Sequence, residues 1–387
     1  MKRIVSLLLA LAGCDVELVL LHADGGSISA ADASVPDPPP LGTTTLAAQD
    51  SHTCAVRGGA LFCWGEGGAG QLGTGDAMDS SMPLRVGAKT DWIAVTAGAS
   101  HTCALDGAGD VYCFGANTAG QLGTGDTRDR ATPERALVSG AARDVQSRTN
   151  HTCAILLSGG LECWGANAEG QLGLDDGFPA TDRERPIAIA SPGPWRVVAT
   201  GQGHTCAIAA SGHLFCWGRN TSDHLGLGSG ADGQYRAPQK VGSDDDWASL
   251  SAGQEGTCAL RRDHSLWCWG LFEGERNAVP TRVGSGSSWG QVQLDTFHLC
   301  ALELGGALFC KGRGIEGQLG LGDNQPHDAL TAIAPTIRFA TVAVGRFYTC
   351  ARKADGTVGC TGDNGRGQLG VGDLMRRASF TPTFPFP

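Results

Sequence analysis

Cysteine and histidine are the residue types whose number and spacing bear most directly on chemistry in this sequence. The chain has 387 residues, of which 15 are cysteine and 10 are histidine. Fourteen cysteines form seven close pairs: Cys54 with Cys63, Cys103 with Cys113, Cys153 with Cys163, Cys206 with Cys216, Cys258 with Cys268, Cys300 with Cys310, and Cys350 with Cys360. This spacing does not suit the Cys-x2-Cys clusters of zinc sites or the Cys-x-x-Cys motif of redox enzymes. So many regular pairs indicate disulfides and an oxidising compartment.

Each cysteine pair is predicted to clip a β-hairpin, because the residues between the cysteines suit a tight turn. The first pair folds back about Gly58-Gly59, a two-residue turn with positive φ at both positions. The other six pairs are one residue longer and need a three-residue loop that ends on a left-handed residue. That position is held by Gly109, Gly159, Gly212, His264, Gly306 and Gly356. The paired cysteines then lie opposite each other with Cα atoms roughly 4.5 Å apart, a distance that a disulfide spans.

Five histidines stand at one phase of the same repeat, two positions before the first cysteine of a pair. They are His52, His101, His151, His204 and His298, and the other two repeats have Gly256 and Tyr348 there. A ring of imidazoles suggests a metal site. Ligands contributed once per repeat would lie too far apart to converge on one ion. We therefore expect each histidine to form a hydrogen bond within its own repeat, and we expect no metal and no cofactor.

No catalytic set stands out from the sequence. The recurring Gly-x-x-Gly-x-Gly-Asp run resembles a phosphate loop, but it lacks the Lys-Ser/Thr and the following helix of a P-loop. Its aspartates are expected to accept hydrogen bonds from turn amides, with calcium binding as the alternative: Asp76, Asp126, Asp323 and Asp373. No Ser/His/Asp triad or carboxylate pair is distinguishable, so the sequence predicts no catalytic residue and no enzyme.

The elements that carry these residues repeat about every 50 residues, the period of propeller blades rather than of helical solenoids. Bulky residues recur eleven positions before the first cysteine, as in Trp92, Trp195, Trp247 and Trp289. They are expected to pack between neighbouring sheets. The predicted fold class is therefore all-β, a seven-bladed β-propeller with one disulfide inside each blade.

Several segments within residues 43–379 resemble the regulator of chromosome condensation repeat. The resemblance is carried by Ala97–Leu105, by Asp110–Asn117 and by Gly120–Asp126, which reads Gly-Gln-Leu-Gly-Thr-Gly-Asp. It implies a seven-bladed propeller with four antiparallel strands per blade around a central shaft. The best-known activity of that family is nucleotide exchange on a small nuclear GTPase. An exported protein would not meet that partner, so we do not expect this activity here.

The N-terminus is predicted to be a targeting signal. Met1-Lys2-Arg3 is basic, an apolar run follows, and Leu11-Ala-Gly-Cys14 resembles a bacterial lipobox. We expect a lipoprotein signal peptide over residues 1–13, lipidation of Cys14, a disordered tether over 14–42 and the propeller over 43–387. An ordinary signal peptide with an incidental cysteine is the alternative.

The seven repeats are uneven in a way that suggests a binding site. The fifth repeat lacks the Gly-Gln-Leu-Gly loop and runs directly from Gly270 to Pro280. The blade nearest this gap should therefore present a different rim, and we expect a partner there. The C-terminal tail over 381–387 holds little strand, so closure of the ring is expected from the N-terminal segment over 43–54.

The overall composition favours a protein that binds rather than one that catalyses. A net charge of −10 disfavours nucleic acid as a partner and disfavours membrane contact beyond the lipid anchor. We expect a non-catalytic, monomeric, exported module anchored in the cell envelope, on the periplasmic or cell-surface side, that presents a propeller face to a protein or a surface glycan. A propeller hydrolase or lyase with its site at the mouth of the shaft is the alternative.

Overall fold

A computed structural model describes residues 45–175, 181–190 and 192–386. The predicted signal peptide and tether, with Cys14, lie outside these residues. The described residues form seven sheets of four strands each, and no helix occurs among them. Consequently this part of the chain contains no helix long and apolar enough to cross a membrane.

Each sheet is a blade made of four strands that are consecutive in the chain and antiparallel to their neighbours. Blades 1 and 2 contain β1 (Leu46–Gln49), β2 (His52–Arg57), β3 (Ala60–Gly65), β4 (Ser80–Arg85), β5 (Trp92–Ala97), β6 (His101–Asp106), β7 (Val111–Gly115) and β8 (Arg130–Arg135). Blades 3 and 4 contain β9 (Ala142–Arg148), β10 (His151–Leu156), β11 (Leu161–Gly165), β12 (Arg183–Ala188), β13 (Trp195–Thr200), β14 (His204–Ala209), β15 (Leu214–Arg219) and β16 (Gln234–Lys240). Blades 5 to 7 contain β17 (Trp247–Ala252), β18 (Gly256–Arg261), β19 (Leu266–Phe272), β20 (Glu275–Arg282), β21 (Trp289–Leu294), β22 (His298–Glu303), β23 (Leu308–Gly312), β24 (His327–Ile333), β25 (Phe339–Val344), β26 (Tyr348–Lys353), β27 (Val358–Gly362) and β28 (Arg377–Pro382).

The blades are arranged in a ring around a central shaft. The first strand of each blade contacts the first strand of the next, and β25 of the last blade contacts β1 of the first. Residues of all seven first strands line one cavity of about 110 Å³ along the shaft. The predicted fold class, a seven-bladed propeller with four-stranded blades, is therefore confirmed.

Every blade contains one disulfide between its second and third strands, as predicted. The bonds join Cys54 to Cys63, Cys103 to Cys113, Cys153 to Cys163, Cys206 to Cys216, Cys258 to Cys268, Cys300 to Cys310, and Cys350 to Cys360. In each blade the two cysteines are directly paired across the hairpin, with Cα atoms 4.1 Å apart. Seven such bonds indicate an oxidising environment, where disulfides form and persist.

The hairpin turns between the paired cysteines have the expected backbone. Gly58 and Gly59 have φ of 56° and 79° in the two-residue turn. His264, the one residue other than glycine at the left-handed position of the longer loops, has φ of 63°. The left-handed position is therefore formed even where the residue has a side chain, because the loop length requires it.

The bulky residues at the start of each blade pack between neighbouring sheets. Trp92 is 3% exposed and lies in one cluster with Leu61 and Val86 of the preceding blade. Trp195 and Trp247 are each 1% exposed at the corresponding positions. A blade alone would leave these apolar surfaces in water, so the ring is needed to bury them.

Closure of the ring was expected from the N-terminal segment, and β1 in that segment contacts β25 and β26 of the last blade. No strand is exchanged between the terminal blades, because all seven sheets consist of four consecutive strands. The tail supplies the end of β28, and Phe386 contacts Phe62 and Trp64 of blade 1, with ring centroids 5.0 and 5.9 Å apart. The prediction was incomplete, because the proline-rich tail was judged by its strand content, whereas its phenylalanine adds side-chain packing to the contacts that β1 makes with the last blade.

Candidate binding site

Adjacent blades are joined by a recurring set of hydrogen bonds that centres on the Gly-Gln-Leu-Gly loop. This loop connects the third and fourth strands of one blade and packs against the next blade. Between blades 3 and 4, the carbonyl of Gln171 accepts hydrogen bonds from Thr205 Oγ1 at 2.8 Å and from Trp217 Nε1 at 2.9 Å. The threonine bond recurs at six junctions, with acceptors Gln71, Gln121, Gln171, His224, Gln318 and Gln368. We call these bonds, together with the histidine–threonine bond described below, the junction stitch.

The motif has glycine and leucine at fixed places because the loop enters a tight interblade space. Leu122 is fully buried. Gly123 has φ of +70°, and a Cβ there would lie 2.7 Å from Trp164 Nε1 of the next blade. A side chain at that position would be strained by the backbone and would clash with the tryptophan. The motif therefore serves packing between blades and does not form a phosphate loop.

The five histidines form hydrogen bonds to the next blade, not within their own as the sequence analysis expected. His101 Nε2 lies 3.0 Å from Thr152 Oγ1, and His151 Nε2 lies 2.9 Å from Thr205 Oγ1. The single hydroxyl proton of Thr152 is donated to Gln121, so the imidazole must donate from Nε2. The expectation failed because sequence spacing cannot tell which neighbour a side chain reaches.

Burial keeps these imidazoles neutral. His101 and His151 are fully buried, and desolvation lowers the pKa of each to about 3. The pKa values of His52 and His298 are lowered to about 4 by the same cause. These groups are thus structural donors, and none of them is placed to act as a general base on a surface ligand.

The junction between blades 5 and 6 lacks the stitch. Here β19 and β20 are joined by the two-residue turn Glu273-Gly274, so blade 5 has no long loop to place against blade 6. The three stitch positions differ as well. Gly256 replaces the histidine, Leu299 the threonine, and Lys311 the aromatic residue.

The replacements at Leu299 and Lys311 have a common physical reason. Without the loop, no main-chain carbonyl of blade 5 is available as an acceptor. A threonine hydroxyl at position 299 or a tryptophan N–H at position 311 would then be a buried donor without an acceptor. Such a group costs about 1–3 kcal/mol. Leu299 removes one donor, and Lys311 is instead paired with Glu273 at 2.9 Å. The side chains at this junction therefore match the absence of the blade 5 loop.

The missing loop leaves open space at this junction. A groove of about 400 Å³ is bordered on the blade 5 side by Glu255, Leu271 and Glu273, and on the blade 6 side by Phe297 and Asp328. We call it the junction groove. A smaller cavity of about 170 Å³ at the same junction is lined by Phe272, Val283, Leu299 and Lys311, among others.

The groove opens on what we call the loop face, the end of the propeller that carries the turns between first and second strands. In five blades the residue directly before the recurring histidine position, which is Gly256 in blade 5, is small or polar: Ser51, Ser100, Asn150, Gly203 and Glu255. In blades 6 and 7 it is Phe297 and Phe347, which are half-buried and stacked with centroids 4.9 Å apart and planes inclined by 13°. Two adjacent, partly exposed aromatic rings are typical anchors of a protein interface.

Two arginines flank this stacked pair. The Arg313 guanidinium lies 5.2 Å from the Phe297 ring centroid, and Arg346 lies 5.2 Å from that of Phe347. Arg313 is also paired with Glu316 at 2.7 Å. Aromatic residues and arginine are the types most enriched at interface hot spots.

The groove carries a net negative charge. Glu273 is paired with Lys311, and Arg313 with Glu316, so these four charges cancel. Burial raises the pKa of Glu273, Lys311 opposes that shift, and the neighbouring carboxylates of Asp328 and Glu275 add to it. Within the part of the chain that the structure describes, Glu255 and Asp328 have no ion-pair partner.

A buried ion pair spans the shaft near its mouth. Arg148 of blade 3 and Asp295 of blade 6 are 9% and 3% exposed, with Arg148 Nη2 2.9 Å from Asp295 Oδ1. Arg148 Nη1 also donates to the carbonyls of Ala252 in blade 5 at 2.9 Å and Leu294 in blade 6 at 3.1 Å. Arg148 therefore links, across the shaft, the two blades whose own junction lacks the stitch.

The structure tests the other sequence expectations about this surface only in part. Asp126, Asp323 and Asp373 accept hydrogen bonds from loop amides two residues ahead, as predicted. Over residues 45–175, 181–190 and 192–386, no group of three or more His, Cys, Asp or Glu is arranged to hold a metal ion. The expected difference in the rim near the fifth repeat is present as the junction groove.

Sequence reasoning missed the aromatic pair and the shaft ion pair. Both were detectable as residues that break the repeat at one phase. Phe297 and Phe347 stand where other blades have small or polar residues. Arg148 and Asp295 stand where four blades have glycine, and at one of these, Gly98, a Cβ would lie 2.1 Å from the His101 ring.

The ring of stitched blades, the ion pair across the shaft and the open groove define a disulfide-clipped β-propeller of the kind built from sequence repeats. The profile of the regulator of chromosome condensation (RCC1) repeat matches residues 58–105, 108–155, 158–208 and 211–260, and a second profile of the same repeat matches 92–121, 195–223 and 339–368. The chain belongs to the RCC1 repeat family.

The curated relatives match over part of their length. The ultraviolet-B receptor UVR8 of Arabidopsis thaliana is 30% identical over 239 residues, which is 60% of this chain and 42% of the receptor. The human regulator of chromosome condensation is 26% identical over 98 residues, 25% of this chain and 23% of that protein. The matched stretches thus span less than half of these relatives.

Solved structures with the same fold cover most of the chain. Human WBSCR16 superposes with a TM-score of 0.76 at 21% identity, covering 84% of this chain and 95% of that one. Yeast RCC1 (Prp20), solved with Kap60 bound, gives a TM-score of 0.76 at 20% identity, covering 96% and 91%. At these identities the likeness concerns the fold.

Proposed function

We propose that this protein is a non-catalytic binding module that docks a protein partner on the loop face of blades 5 to 7. The observation that carries this proposal is the coincidence of the stacked Phe297–Phe347 pair with the junction groove. Among the described residues, this is the one place where a missing loop and half-buried aromatic residues both interrupt the repeat. Interface energy concentrates in such aromatic and arginine anchors.

The relatives support a protein partner. Structures of yeast Prp20 were solved with Kap60 bound and in a study of its binding to Gsp1p and histones. The same fold therefore occurs in a protein that binds other proteins. Within the described part of this chain, the carboxylates of Glu255 and Asp328 are unpaired and give the groove a net negative charge, which favours a charged protein segment over a neutral glycan.

The alternative, a hydrolase or lyase at the mouth of the shaft, would need a free acid or base there. Asp50 lines this mouth, and burial together with the nearby Asp295 carboxylate raises its pKa. Asp295 itself is held by Arg148. If the mouth were catalytic, Asp50→Asn would abolish turnover; on the binding proposal it leaves partner capture unchanged.

Location in the cell forms the second part of the proposal. Seven disulfides are consistent with an exported protein, and the signal peptide over 1–13 with lipidation at Cys14 would place a monomeric propeller, residues 43–387, at the end of a tether in the cell envelope. Metabolic labelling with an alkyne fatty acid tests this directly. Label and membrane association should both be lost in Cys14→Ser; a labelled Cys14→Ser protein, or an unlabelled wild type, refutes the anchor.

The binding site is tested by capture from envelope extracts with matched variants. Phe297→Ala/Phe347→Ala should abolish capture of the macromolecule that the wild type retains at stoichiometric yield. The control is Leu157→Ala/Leu304→Ala, since these leucines are 68% and 65% exposed at the opposite, hairpin end of the blades. Equal capture by all three proteins would exclude this face. Mass spectrometry and glycan staining of the captured material decide between a protein and a glycan.

A further inference from the structure

The junction groove is the strongest feature of the molecule that the repeat itself does not use. At six junctions the equivalent space is filled by the loop of the preceding blade, whose leucine is buried and whose main chain accepts hydrogen bonds. The groove is therefore shaped to receive a chain segment. At the fifth junction blade 5 supplies no such segment, so the groove is open to a segment of another molecule.

The charge of the groove specifies what the segment carries. After the Lys311–Glu273 and Arg313–Glu316 pairs are taken into account, Glu255 and Asp328 leave an uncompensated charge of about −2 at neutral pH. Burying either carboxylate under a neutral or acidic segment would remove it from water without a partner, which is unfavourable. A cationic side chain neutralises them.

The aromatic wall specifies how that side chain lies. One face of the Phe297 ring is stacked on Phe347 in blade 7, and Phe297 borders the groove on the blade 6 side. The rest of the ring borders the groove beside Arg313, whose guanidinium lies 5.2 Å from the ring centroid. A second guanidinium packed against this ring gains a cation–π interaction while its N–H groups donate to Glu255 on the blade 5 side and to Asp328 on the blade 6 side.

We propose that the junction groove binds a loop of the partner protein through an arginine side chain that packs against the Phe297 ring and pairs with the carboxylates of Glu255 and Asp328. This inference rests on the proposed function and names the chemistry of the partner segment. It assigns recognition to charge as well as to apolar contact, so the two can be separated by experiment.

The test uses a defined probe on the full-length protein. The probe is the peptide acetyl-Gly-Arg-Gly-amide, and its control is the same peptide with citrulline, which has the same shape and no charge. The protein is labelled with 4-fluorophenylalanine, and the ¹⁹F resonance of residue 297 is assigned from Phe297→Leu. The arginine peptide should shift that resonance saturably and bind about ten-fold more tightly than the citrulline peptide. Equal shifts with both peptides overturn the proposal.

Variants connect the probe to the groove and separate this inference from the proposed function. Glu255→Gln/Asp328→Asn should remove the preference for arginine, whereas Glu184→Gln/Asp245→Asn, exposed carboxylates elsewhere, should keep it. If Phe297→Ala/Phe347→Ala loses the envelope partner but Glu255→Gln/Asp328→Asn retains it fully, the docking face stands and the arginine proposal fails. If the aromatic variant instead dissolves a dimer of this chain, the occupant is a second copy and the proposal is also refuted.

Discussion

The ion pair across the shaft gives the sharpest prediction about stability. Arg148 and Asp295 are buried, and the arginine also binds main-chain carbonyls of blades 5 and 6. Two unit charges about 4 Å apart interact by about 4 kcal/mol at an effective dielectric constant of 20, and breaking a buried pair costs about 3–5 kcal/mol because one charge is left uncompensated. Arg148→Met and Asp295→Leu should each lower the free energy of unfolding by about that amount.

The double variant Arg148→Met/Asp295→Leu distinguishes a buried pair from two independent contacts. It removes both charges together, so it should cost less than the sum of the single changes by about 2–4 kcal/mol. The assay is urea unfolding followed by tryptophan fluorescence with the disulfides intact. The exposed Arg135–Asp110 pair is the control, since such pairs contribute about 0–1 kcal/mol.

Additivity of the two single changes within about 0.5 kcal/mol would refute this reasoning. Hydrogen exchange adds a second readout that depends on location. Because Arg148 links blades 5 and 6, its loss should speed amide exchange in β17 and β21 more than in β1 or β5, which a general loss of stability would not do.

Three further predictions concern titration and the disulfides. The pKa of histidine is near 6.5 in the unfolded chain and about 3 for buried His101, so below pH 6.5 the unfolded chain binds a proton that the folded chain does not. Each such histidine therefore lowers the free energy of unfolding by about 2 kcal/mol at pH 5. His101→Gln should lessen the fall in the urea midpoint between pH 7 and 5, and an unchanged pH dependence of the midpoint would contradict this. Burial raises the pKa of Asp144 in the shaft to about 6, so the free energy of unfolding falls as pH rises from 4 to 6. Asp144→Asn should stabilise the fold by about 2–3 kcal/mol at pH 8 and by little at pH 4. A stability difference that does not depend on pH would contradict this. Each cystine closes a loop of about ten residues, so replacing Cys103 and Cys113 together by alanine should lower the unfolding free energy by roughly 2–3 kcal/mol, and no change in the midpoint would show that the chain-entropy account is wrong.

The hairpins were predictable from sequence because their determinants are local. A glycine pair or a left-handed third position fixes the turn, the turn fixes the register, and the register places the cysteines opposite each other. Gly58, Gly59 and even His264 adopt the backbone that this reasoning requires. The repeat period then gave the number of blades.

Contacts between blades were not predictable in the same way, because they depend on which neighbour a side chain reaches. The histidine bonds were assigned to the wrong blade, and the contribution of Phe386 to closure of the ring was missed. The site itself left a partial signal. The absence of the fifth loop was visible in the sequence. That it leaves an open groove became clear only when the structure placed Leu299 and Lys311, the replacements of the stitch residues, at the same junction.

If the unstitched junction is the site of recognition, filling it should abolish partner binding. Replacing the Glu273-Gly274 turn with the loop of residues 66–79, together with Leu299→Thr and Lys311→Trp, would restore the stitch and fill the groove from within. The decisive measurement is the affinity of this grafted protein for the captured partner, with the stitch verified by hydrogen exchange at β22 and β23. Loss of binding with an undiminished free energy of unfolding is the predicted result. Partner affinity equal to that of the wild type, with the loop seated in the groove, would contradict it.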